Sequence, residues 1–220
     1  MSINIKSMGS YVYFLLLNIM NIINVLMKSI GKGHITCLEI FSDITIPAKM
    51  ITIIIIFSIS YIWNNKMEYN IMEIVLYKNK KKLWLKRVDN IIIRGLFEVL
   101  IIGITVMSFL LYRIKVQQNI EYILAFVISL YFQLMVGYIF IELMFWIFSS
   151  KIIGILFIIC IAILDSFTEF IPLFYGQVCI YNEIKNMNIS AIAIKSVDSV
   201  LVCCLLIMAG VIYAKRKEFI

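Results

Sequence analysis

Breakers of regular structure are nearly missing from this chain. Its 220 residues include two prolines and nine glycines. Turns are therefore few and elements long. Cysteine is sparse too: Cys37, Cys160, Cys179, Cys203 and Cys204 show no CxxC or Cys/His ligand spacing. Neither a disulfide framework nor a metal site is expected. Acidic residues number 13 against 20 Lys and Arg, which gives a net charge of +7. The largest deficit is in polar sequence. The chain is 63% hydrophobic and its mean hydropathy is +1.00, whereas a soluble domain is nearer half apolar. Too little polar chain remains for a separate soluble domain. The expectation is an all-α polytopic membrane protein, with residues 1–220 forming one membrane domain. Its basic excess then reflects cytoplasmic loops rather than a nucleic-acid partner.

What is present is a series of apolar runs. A helix needs about 20 such residues to cross a hydrocarbon core of about 30 Å. Six segments qualify, at about 9–28, 45–64, 91–112, 121–148, 152–174 and 196–214. The first run lacks a small-residue cleavage site after it, since "KSIGKGHIT" follows; it reads as a retained span. The "SSK" link between the fourth and fifth runs makes those helices antiparallel neighbours. With both termini on one side, that side holds thirteen of the twenty Lys and Arg. Positive residues collect inside, so both termini are expected in the cytoplasm. Richness in Ile, Asn and Lys fits an AT-rich bacterial genome, and hence a bacterial cytoplasmic membrane.

The largest loop on the cytoplasmic side, 65–90, contains "YKNKKKLWLKRVDN", in which six of fourteen residues are Lys or Arg. From Met67, apolar residues recur at Ile71, Ile74, Val75, Leu83, Leu85 and Val88, with Glu68 and Glu73 early and the lysines late. That order suits an amphipathic helix and its dipole. Trp84 among lysines reads as an interfacial aromatic. Two roles fit: a surface helix held by anionic lipid headgroups, at roughly 1 kcal/mol per basic residue, or a docking element for a cytoplasmic partner. Both can hold together.

This layout resembles the type-2 ABC exporter permease family, in particular the small six-span permease subunits of bacteriocin-immunity and peptide-export type. The likeness rests on six spans with both ends inside and on "EIVLYKNKKKLWLKRVDN", an acid followed by a basic-aromatic stretch before the third span. It also rests on the ending "GVIYAKRKEFI" and on "IPLFYGQ" at 171–177. Asn79 departs from the Ser or Arg common in the family. The resemblance implies that the loop is a cytoplasmic coupling helix between spans two and three. Its ATPase-coupling segment would comprise Glu68, Tyr69, Met72, Glu73, Leu76, Tyr77, Lys80, Lys81, Lys82 and Trp84. The chain has no G-x-x-x-x-G-K-[ST] pattern. ATP and Mg would therefore be bound by a separate ATPase subunit, and a second permease copy or a relative would complete the transporter. The chain itself would be a transporter subunit without enzymatic activity.

Ionisable residues inside spans face protein or water. Arg94 and Glu98 stand at i and i+4 and so share a helical face. They read as a self-neutralising pair, or as a relay of coupling-helix motion. Asp165 and Glu169 have the same spacing but like charge, so they need a basic partner, water or a proton. They read as lying at the outer water boundary or as lining an outer vestibule. Glu142 is isolated; it pairs across helices or snorkels to the inner interface. Asn18, Asn21 and Asn24 form a stripe suited to interhelical hydrogen bonds. His34 and Cys37 lie three residues apart, and Cys/His pairs can run nucleophilic catalysis. Membrane Cys peptidases, however, space them further apart around a glycine-containing motif that is lacking here. A stand-alone membrane immunity or scaffold protein is the other class; the basic loop distinguishes it from a permease, which needs that loop.

Overall fold

The computed structural model describes Ser58, Tyr61 and residues 79–113, 120–148, 150–167 and 189–216, with 101–113, 120–123, 126, 151, 162, 165–167, 189 and 216 described by backbone alone. The described part is all helical. Helix α1 is Lys80–Arg113, α2 is Ile120–Phe148, α3 is Lys151–Phe167 and α4 is Ile189–Arg216. Ser58 and Tyr61 are helical as well. The first expected span and the rest of the second lie outside the described residues. Among the described residues, two stretches are long and apolar enough to cross a membrane: Val127–Phe148 in α2 and Ser190–Lys215 in α4.

From Lys80 onward the expected coupling helix is continuous with the third apolar run, while its part from Met67 to Lys78 lies outside the described residues. No break occurs at Asp89–Asn90; one helix runs from the lysines through the apolar run. Asn79 explains where it begins. Its Oδ1 accepts the backbone N–H of Lys81 at 3.0 Å, and its carbonyl accepts that of Leu83 at 3.1 Å. This is N-capping by a preferred residue type. α4 likewise begins at Ile189 rather than near 196. Both helices extend past their apolar runs through polar residues such as Lys195 and Asp198, which a hydropathy reading treats as boundary.

α2 is the central helix and touches α1, α3 and α4. Every residue from Leu134 to Leu143 is buried, so this helix is apolar because its neighbours are. α3 folds back onto α2. A methyl group on Gly154 would sit 3.1 Å from the Ile141 Cα and 3.3 Å from its carbonyl oxygen, so the two backbones approach closely only because Cβ is missing there. α4 is two-faced. Ile192, Ser199, Cys203, Leu206, Gly210 and Ala214 face inward, while Ile194, Val197, Leu201, Leu205, Met208 and Ile212 are exposed.

Trp84 ties α1 to α4. It is fully buried, not interfacial as its neighbours in sequence suggest. Its Nε1–H donates to the Ile207 carbonyl at 3.1 Å. Its ring meets Trp146 edge-on, with centroids 5.8 Å apart. The same ring lies against Gly210 so closely that a methyl group there would overlap it. α1 therefore begins at the end of the bundle where α2 and α4 finish.

Candidate functional site

The inward face of α1 carries three charged residues. Arg87, Ile91, Arg94 and Glu98 follow one another at intervals of four, three and four residues, which aligns them along one side of the helix. On α2, Tyr138 and Glu142 are four apart and meet that side.

Two ion pairs result. Arg87 Nη1 lies 2.8 Å from Glu142 Oε1, across the two helices. Arg94 Nε lies 2.8 Å from Glu98 Oε1, within α1. Each glutamate has its second oxygen filled by a tyrosine. The Tyr61 hydroxyl donates to Glu142 Oε2 at 3.1 Å, and the Tyr138 hydroxyl donates to Glu98 Oε2. The tyrosines stack on one another, with centroids 4.6 Å apart and ring planes 13° apart. The Arg94 guanidinium carbon lies 5.3 Å from the Tyr61 ring centre and 5.8 Å from that of Tyr138, within cation–π range. Two arginines, two glutamates and two tyrosines thus form one neutral, contiguous cluster.

Physical chemistry explains why it takes this form. A buried charge is tolerated only when paired and hydrogen-bonded. Here all four carboxylate oxygens have partners, and the positive and negative charges balance. The cluster joins α1, α2 and Tyr61, and sets the sliding position of α1 along α2. Among the described residues, no group of three or more His, Cys, Asp or Glu could hold a metal ion.

Of the residues singled out in the sequence, the structure brings together Arg94, Glu98 and Glu142. The Arg94–Glu98 pair is the one its spacing suggested. Glu142 pairs across helices instead of snorkelling. Arg87, Tyr61 and Tyr138 were not singled out. Arg87 could have been found from its seven-residue spacing to Arg94, and Tyr138 from its four-residue spacing to Glu142. Lys81 and Lys82 are exposed and Lys80 is half-buried. Asp165 lies in the last turn of α3, described by backbone alone. Glu68, Tyr69, Met72, Glu73, Leu76, Tyr77 and Glu169 lie outside the described residues, as do the first-span asparagines, His34 and Cys37.

A second feature is an apolar groove of about 490 Å³ between α2 and α4, with Ile128, Phe132, Ser196 and Val200 in its walls. The Ser196 hydroxyl donates to the Ile192 carbonyl at 2.9 Å, so the walls present hydrocarbon. In comparison with known proteins, no family model, no curated protein and no solved structure matches the chain.

Proposed function

We propose that this chain is the membrane-spanning permease subunit of an ABC exporter. It crosses the bacterial cytoplasmic membrane six times with both termini inside. A separate ATPase subunit supplies ATP hydrolysis, and a second copy or a related permease completes the pathway. The cargo is a peptide or a bacteriocin, by analogy of layout with the family it resembles.

The observation that supports this reading is the continuity of α1. The exposed Lys81 and Lys82 open a helix that is fixed three residues later by Trp84 and six residues later by the Arg87–Glu142 pair. A partner that moves the basic end moves the buried charge cluster with it. A rigid, uninterrupted helix between the docking end and the membrane interior is one physical element that can carry such coupling.

The test is a mild-detergent purification of the tagged chain from its native cells, with mass spectrometry of what accompanies it. A co-purifying Walker-motif ATPase is expected, lost when residues 68–84 are altered. Replacement of Leu76 and Tyr77 should reduce ATPase coupling more than membrane insertion. A chain that purifies alone, or only with itself, overturns the permease reading in favour of a stand-alone membrane protein.

A further inference from the structure

The outer face of α1 changes character halfway along. Its first three turns expose Lys81, Lys82, Lys86, Asp89 and Asn90 with a single large apolar side chain, Leu85; its next turns expose Ile93, Leu96, Phe97 and Leu100. Lys82, Lys86, Asp89 and Ile93 are spaced by four, three and four residues and so form one outward stripe. The depth of this stripe is fixed by contacts on the opposite side of the helix. Arg87 meets Glu142, and the Tyr131 hydroxyl reaches the Ile92 carbonyl at 3.5 Å. Asp89 and Asn90 lie between those two contacts. Glu142 is already six residues, about 9 Å, inside the end of the α2 apolar stretch at Phe148.

α4 also places this part of α1 inside a span. Trp84 bonds to Ile207, which is eight residues, about 12 Å, inside the end of the α4 stretch at Lys215. Around that level α4 exposes Leu205, Met208 and Ile212. Two exposed surfaces inside the spans thus differ in chemistry. α4 presents hydrocarbon, while α1 presents two ammonium groups, a carboxylate and an amide. A lysine can extend its stem to reach the headgroups. Asp89 and Asn90 are too short to do so, and ionisable groups at membrane depth face protein or water.

We propose that the Lys82–Lys86–Asp89–Asn90 face of α1 lines a water-filled inlet, which opens at the lysine-rich end and reaches inward to the level of the buried charge cluster. Two lysines against one aspartate make the inlet selective for hydrated anions over cations. The inference rests on the membrane-spanning part of the reading above, namely that α2 and α4 cross the bilayer; it does not depend on an ATPase partner or on export.

The test uses the full chain in phosphatidylcholine–phosphatidylglycerol vesicles permeable to reagent from both faces. Cysteine is placed singly at Lys86→Cys, Asp89→Cys and Asn90→Cys, and at Leu205→Cys and Met208→Cys on the exposed face of α4, level with Trp84. Modification by a charged, hydrophilic methanethiosulfonate is measured over time, above the wild-type level set by the native thiols. All five positions are exposed, so each variant keeps the packing; a monodisperse elution profile checks this. Positions 89 and 90 are expected to react at least about tenfold faster than 205 and 208, and faster with an anionic than with a cationic reagent. Lys82→Gln combined with Asn90→Cys should erase most of that charge preference. Slow reaction at 86, 89 and 90 overturns the inlet, because protein or lipid then covers the stripe. Fast reaction at 205 and 208 as well overturns the membrane-spanning reading of α4 instead.

Discussion

α2 and α4 are equally plausible as membrane spans from their composition, yet they sit in opposite surroundings. Of the apolar window in α2, 72% is buried; of that in α4, 28% is. α2 is enclosed by other helices from Leu134 to Leu143. α4 buries one stripe and leaves the other uncovered. High hydropathy therefore has two causes in one small chain: contact with protein around α2, and an outward face fit for lipid on α4. Four charged side chains share the enclosed side with α2, while Lys82, Lys86 and Asp89 of α1 and Asp198 of α4 face outward. Arg87, Arg94, Glu98 and Glu142 are gathered between α1 and α2, and the described part of the outer surface carries many of the largest apolar side chains. That inside-out distribution suits a hydrocarbon surround.

Substitutions can break this contrast, and the largest effect is expected where a charge is stranded. Glu142→Gln leaves Arg87 inside without its counter-ion and should cost about 3–5 kcal/mol. Thermal unfolding in detergent reads it. Adding Arg87→Met should recover a measurable part of the loss, since the two residues form one unit. Ile139 is fully buried on α2, so Ile139→Ala should cost about 2–5 kcal/mol. Smaller again is Gly210→Ala on the inner stripe of α4. The added methyl overlaps the Trp84 ring, and displacing that ring should cost about 1–3 kcal/mol and red-shift the tryptophan emission. The smallest effect belongs to the outer stripe: Leu205→Ala should change stability by no more than about 0.5 kcal/mol. If Leu205→Ala proved as costly as Ile139→Ala, the outer face of α4 would be covered in the working assembly and the contrast would dissolve.

How much of this could be read beforehand depends on the range of each interaction. The apolar runs behind α1 to α4 were legible because hydropathy is a local property. The starts of α1 and α4 were not, because capping by Asn79 and polar helical turns carry no apolar signal. The Arg94–Glu98 pair was legible from spacing along one helix. The partner of Glu142 was not, since Arg87 is 55 positions away in the chain. Tyr61 is 81 positions from Glu142, and nothing in a tyrosine near a span end marks it as a donor to a buried carboxylate. Trp84 was misread for the same reason. Its neighbours in sequence are lysines, whereas its neighbours in space are Trp146, Ile207 and Gly210.

The seat of Trp84 also imposes an order on biosynthesis. The acceptor for its indole N–H, Ile207, follows it by 123 positions. At roughly 5–20 residues per second, the ribosome delivers that acceptor on the order of ten seconds after the tryptophan. Through that interval α1 has its basic end and no seat for its largest side chain, a state that invites quality-control proteases. Insertion of α4 closes it, so the packing of α1 is completed only when α4 arrives.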